Sequence, residues 1–153
     1  MEEKQRKKII LAALDEANKA FQLDEVPVGA VIFDTQTGKI ITKAHNLVEK
    51  HKNPLAHAEM QAIEKMLKKV SDKFLSGYSI FVTLEPCTMC AGAIAWARLD
   101  GLYYGASDTK TGAIEQGSKV FSHPQTHHKL KIEKWANLEC GALMTQFFKR
   151  KRK

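Results

Sequence analysis

Residues 78–97 read Tyr78-Ser79-Ile80-Phe81-Val82-Thr83-Leu84-Glu85-Pro86-Cys87-Thr88-Met89-Cys90-Ala91-Gly92-Ala93-Ile94-Ala95-Trp96-Ala97, and the pattern changes at Pro86. The first seven residues are apolar, β-branched or aromatic at almost every position, which predicts a buried strand over Tyr78–Leu84. Proline is tolerated at the head of a helix, and the alanine-rich segment after it predicts a helix over Cys87–Ala97, slim enough to pack closely on a sheet. A buried strand running straight into a helix is the repeating unit of an α/β domain.

Upstream, Ile9, Ile10, Ala13, Leu14, Ala17 and Phe21 recur at helical spacing and predict an amphipathic helix from Glu3 to Gln22. Val28–Phe33 and Lys39–Ala44 read as two strands joined by the turn residues Asp34-Thr35-Gln36-Thr37-Gly38. Asn46–Ala56, with Asn53-Pro54, is expected to be a loop. From His57 onward Met60, Ile63, Met66, Leu67 and Val70 mark one face of a helix ending near Ser71. Downstream come a brief strand at Leu102–Tyr104, a long loop over Gly105–Gln125 with room for one helical turn, a strand at Lys129–Lys134 and a helix over Asn137–Arg150. This order predicts an α/β layered fold, largely parallel after the first hairpin.

The 153 residues, 44% of them hydrophobic, suit one domain spanning 1–153. The apolar run Ile9–Leu14 stops at Asp15 and Glu16, short of a signal-peptide core, and no segment approaches a membrane span. A cytoplasmic protein with no membrane partner is the expectation. The net charge of +7 suits an anionic partner. Part of that charge is concentrated in a basic helix end over 147–153, where Phe147-Phe148 precede Lys149-Arg150-Lys151-Arg152-Lys153. Taken alone, this tail fits a solvated helix end as well as a nucleic-acid contact.

Of the three cysteines, Cys87 and Cys90 lie three residues apart, a spacing that fits metal binding better than a disulfide framework. Cys140 reads as a buried thiol. On a helix, Cys87 and Cys90 share one face, and the helix dipole favours their thiolates. His57-Ala58-Glu59 is less simple, because residues two apart on a helix differ by roughly 200° around its axis. Both side chains can face the cysteines only if His57 stands at the helix opening, which Pro54 just upstream favours. His57, Cys87 and Cys90 then make three ligands for one Zn2+ per chain, leaving a fourth position for water, with Glu59 placed as the proton-transfer group. His123, His127 and His128 share a polar loop over Ser122–Lys129 and could suggest a second metal site, although the loop alone accounts for them.

With these motifs in place, the chain resembles the cytidine and nucleobase deaminase superfamily, and most closely its bacterial tRNA-specific adenosine deaminases. The resemblance is carried by Glu25-Val26-Pro27-Val28-Gly29-Ala30, His57-Ala58-Glu59, Leu84 to Ala93, and Gly105 with Asp108-Thr109-Lys110-Thr111-Gly112-Ala113. It implies a three-layer α/β/α fold around a mixed five-stranded sheet, and hydrolytic deamination of adenosine to inosine at the wobble position of a tRNA anticodon loop. It further implies that Glu59 shuttles protons, that Asn46 hydrogen-bonds the flipped base, and that the protein is a homodimer. Asp108, Lys110, Phe148 and Arg150 are the expected contacts around the pocket. Ser107 departs from the pattern, since many bacterial relatives carry arginine there. The same zinc motif also serves deaminases of free guanine or cytosine, and a non-catalytic zinc RNA-binding subunit is a third alternative.

Overall fold

The computed structural model describes residues 1–152, so Lys153, the last residue of the basic tail, lies outside the described residues. The elements are α1 (Glu3–Gln22), β1 (Gly29–Asp34), β2 (Ile40–His45), α2 (Val48–His51), α3 (Ala58–Val70), β3 (Tyr78–Leu84), α4 (Thr88–Trp96), β4 (Gly101–Ala106), a 3-10 turn at Val120–Ser122, β5 (Lys131–Lys134) and α5 (Leu138–Lys151). The five strands form one sheet in the order β2-β1-β3-β4-β5. β1 is antiparallel to both β2 and β3, whereas β3, β4 and β5 are mutually parallel. The expected loop over 46–56 contains the short helix α2, a local difference that leaves the order of the larger elements intact.

Alternation along the central strands sorts the core into two layers. From β1, Val31 and Phe33 point to one face with Phe81 of β3 and Tyr103 of β4, where they meet Ile9, Ala13 and Leu14 of α1 and Cys140 of α5. Ala30, Ile32, Ile80, Val82 and Leu102 point to the other face, against Ala62, Ile63 and Met66 of α3 and Ile94 of α4. The result is a helix–sheet–helix sandwich around a mixed five-stranded sheet, the three-layer α/β/α architecture that the resemblance implied. α1 lies so close to the sheet that a Cβ at Gly29 would collide with the Ala13 carbonyl. On this same face, Trp135 stacks on Tyr103 at 4.3 Å and Phe81 at 5.5 Å, with the Arg6 guanidinium 4.6 Å above its ring. The Cys140 thiol is buried against Gly105, whose missing side chain makes the room. No described helix is long and apolar enough to cross a membrane.

Candidate active site

α3 and α4 begin side by side at one end of the sheet, and each presents its leading residue to the other. His57 is the N-cap of α3, with extended backbone (φ −68°, ψ 156°), and Cys87 is the N-cap of α4 (φ −75°, ψ 175°). His57 therefore stands outside the helical repeat, and this lets its imidazole and the Glu59 side chain reach the same region despite their two-residue spacing. The helix begins one residue later than expected from sequence, at Thr88, so the cysteine pair is made of a cap and a first-turn residue.

His57 Nδ1 lies 3.7 Å from Cys87 Sγ and 3.5 Å from Cys90 Sγ. In a tetrahedral zinc site, with Zn–S near 2.3 Å and Zn–N near 2.0 Å, the S···N edge is about 3.5 Å. The donor set fits such an ion in both spacing and chemistry. Among the described residues, His57, Cys87 and Cys90 are the one group of three or more candidate ligands drawn together in this way. The loop histidines do not form another, and His128 Nε2 instead lies 2.7 Å from the Leu99 carbonyl.

Electrostatics point the same way. A hydrogen bond from Cys90, together with one from His57, pulls the Cys87 thiol down to about 4. The same partnership and burial push the Cys90 thiol far up, because a second thiolate beside the first would lack a counter-charge. A divalent cation is the species that lets both sulfurs ionise together. The Cys87 thiolate raises the His57 imidazole. Glu59, 4% exposed in the first turn of α3, is pushed up to about 7 by burial. A carboxyl near neutrality can both take and return a proton.

His57, Glu59 and Cys87 line a cavity of about 910 Å³. Asn46 lines its wall, and its Oδ1 is buried with no hydrogen-bond partner among the described residues. An orphaned buried acceptor costs about 1–3 kcal/mol, so it marks a place where a ligand can supply the missing donor. Asp108 and Lys110 also line the cavity, although the Asp108 carboxylate is engaged in its own turn, accepting from Lys110 N at 3.0 Å and Thr111 N at 3.1 Å. Phe148 lies at the mouth, 44% exposed, against the buried Phe147. Arg150 is not among the lining residues. Its guanidinium reaches Asp24 Oδ1 at 3.2 Å and the Phe21 carbonyl at 3.3 Å, stacked 4.3 Å over the Phe21 ring, while Lys151 and Arg152 of the same tail line the cavity. Ser107, on the rim, donates to Glu115 and accepts from Lys134 at 2.8 Å. Sequence reasoning missed Glu25 and Glu85, both buried and both lining the cavity, although each stands one or two residues before a proline within the stretches quoted above.

Comparison with known proteins agrees with this geometry. The family model described as MafB19-like deaminase matches residues 4–152. The tRNA-specific adenosine deaminase of Rickettsia bellii is 48% identical over 139 residues, 90% of this chain and 96% of that protein. The protein of the same name from Aquifex aeolicus is 41% identical over 140 residues, 92% of this chain and 91% of that one. A solved chain from biochemical and structural studies of A-to-I editing by tRNA:A34 deaminases superposes with a TM-score of 0.81 at 41% identity, covering 84% of this chain and 98% of that one. Fold and site thus define a deaminase enzyme with a metal-capable His-Cys-Cys cluster. Within that class, the chain belongs to the family of tRNA-specific adenosine deaminases.

Proposed function

We propose that this protein hydrolyses adenosine to inosine at the wobble position of a tRNA anticodon, with one zinc ion held by His57, Cys87 and Cys90. The observation that carries the reading is the His57 imidazole facing both sulfurs, with the buried Glu59 carboxyl beside them, lining the cavity. Zinc in an open three-ligand site supplies Lewis acidity that brings the pKa of water toward neutrality. Glu59 takes the proton from the attacking water and hands it to N1 of the adenine ring as oxygen adds to C6. It then carries the remaining hydroxyl proton to the amino group, so that the C6–N bond breaks, ammonia leaves and the C6 carbonyl of inosine forms. Asn46 holds the base through its unpaired amide oxygen.

A base inside a stacked helix cannot enter this cavity, so the substrate is a single-stranded loop whose target nucleotide flips out. Asp108, Lys110 and Phe148 flank the mouth where neighbouring nucleotides pass, and Lys151 and Arg152 bring positive charge to the same rim. In this reading Arg150 acts through the Asp24 contact that fixes α5. The functional unit is a homodimer in the cytoplasm. The test is to offer the zinc-loaded protein tRNA with adenosine at the wobble position, alongside free adenosine, cytosine and guanine, and to measure inosine and ammonia. Inosine in tRNA alone supports the reading, whereas turnover of a free base or nucleoside without RNA replaces it.

A further inference from the structure

Two buried carboxylates outside the metal cluster turn toward the backbone of the cavity walls. Glu85 is 3% exposed and Glu25 is 1% exposed. Among the described residues neither forms an ion pair. Glu85 Oε1 accepts from Asp108 N at 3.0 Å, and its Oε2 accepts from Ile114 N and Glu115 N, each at 2.9 Å. Glu25 Oε1 accepts from Glu49 N at 2.9 Å and its Oε2 from Lys50 N at 2.7 Å. Burying a carboxylate without a counter-ion is costly, and charge-assisted bonds to backbone amides are what offset that cost here.

The amides they hold belong to two segments, 46–54 and 107–115, which line the cavity through Asn46, Val48, Glu49 and Pro54 and through Ser107 to Thr111. Glu85 lies between β3 and Cys87, so the segment that presents a metal ligand also grips the second wall. That grip is doubled by Ala113 N donating to the Pro86 carbonyl at 2.9 Å and by the bridge between Cys87 and Gly112. Gly112 packs directly on the carboxylate, since a Cβ there would fall 2.5 Å from Glu85 Cδ.

We propose that Glu25 and Glu85 are positioning residues, which set the separation of the 46–54 and 107–115 walls between which the substrate base and its neighbours must fit. The inference rests on the RNA-deaminating reading of the site. Glutamine at either position conserves volume but turns one acceptor oxygen into a donor that faces a backbone N–H. The wall then loses a bond and shifts, while Glu59 and the metal ligands keep their own supports on α3 and α4. The penalty falls on substrate fit more than on the chemical step.

The test uses the zinc-loaded full chain. Glu85→Gln and Glu25→Gln should each bind zinc as the wild type does and keep kcat within about threefold, while KM for an anticodon stem-loop RNA rises about tenfold, the scale of one charged hydrogen bond. Amide exchange should accelerate at Asp108, Ile114 and Glu115 in the first variant and at Glu49 and Lys50 in the second, with Phe81 in the core unchanged. Gly112→Ala pushes the wall off an intact carboxylate and should reproduce the rise in KM and the faster exchange at Asp108, Ile114 and Glu115, which keeps the inference testable if Glu85→Gln does not fold. An unchanged KM in variants of an active enzyme overturns the inference whatever the exchange shows, and so does loss of zinc from the glutamine variants. A wild type that deaminates no RNA sinks the functional reading instead, and amide exchange then decides whether the carboxylates hold the walls.

Discussion

His57 Nδ1 stands 3.5 Å from the sulfur of Cys90, thirty-three residues away in the chain. Two helix openings meeting at one end of the sheet produce this approach, and neither motif achieves it alone. In the proposed function this contact separates the duties of neighbouring side chains, the cluster holding the ion and Glu59 moving protons.

Glu59→Ala should therefore retain zinc and lose deamination by at least about 100-fold, whereas Cys87→Ala should lose both metal and activity. Metal content and inosine formation, measured on the same preparations, check the pair. Full turnover by the Glu59 variant would remove the proton-transfer role from this residue.

Removal of zinc by a chelator should abolish activity, and zinc binding to the stripped protein should tighten as pH rises. The sign follows from Cys90, whose thiol is held protonated in the metal-free cluster and must release its proton on binding. Competition with a chromogenic chelator between pH 6 and about 8 measures this, and an affinity that weakens with rising pH contradicts it.

Glu16 supplies a pH-dependent part of stability. Burial pushes its carboxyl up, but hydrogen bonds from Lys19 at 2.6 Å and the His45 ring at 3.1 Å outweigh burial and hold it below the ordinary value of 4.5. A carboxyl depressed in the folded state contributes fully above its unfolded value, and the contribution is lost as pH falls through the folded one. The gap in urea midpoint between wild type and Glu16→Gln should be constant near neutrality and shrink toward acid. A gap independent of pH would show that the pairing adds nothing.

Trp135→Ala should destabilise the fold by about 3–5 kcal/mol, the usual cost of deleting a large buried aromatic. Phe33, Phe81 and Tyr103 all pack on this ring. Denaturant unfolding reads the loss, and a change below about 1 kcal/mol would mean that the stack relaxes around the vacancy.

Truncation after Phe148 should weaken RNA binding and flatten its dependence on salt, since each lysine or arginine that neutralises a phosphate releases counterions. Binding measured across a salt series checks this. Equal affinity and slope in the two proteins would identify the tail as a solvated helix end.

Much of this was legible in the chain. The hairpin announced itself through Asp34 to Gly38, and the position of His57 followed from helical geometry, which forbids His57 and Glu59 a common direction inside a regular helix. Other features were hidden for physical reasons. The α3 crossover makes β3 run parallel to β2, but no local pattern says that β3 adds beside β1 rather than beside β2, so the antiparallel pairing of β1 with β3 was hidden in the strand order. Arg150 was placed by its neighbours in sequence, but its partner Asp24 lies 126 residues away. Glu25 and Glu85 drew no reading of their own because their partners are backbone amides, which carry no residue identity.

That His57 and Cys87 are both helix caps has a consequence for descent. The reactive centre hangs from the layered scaffold, while 46–54, 107–115 and the end of α5 form its surroundings. Those surroundings can be rewritten by insertion or exchange while the two caps stay on the scaffold, so under the proposed function a lineage built on this plan can change the molecules it accepts while leaving its reaction alone.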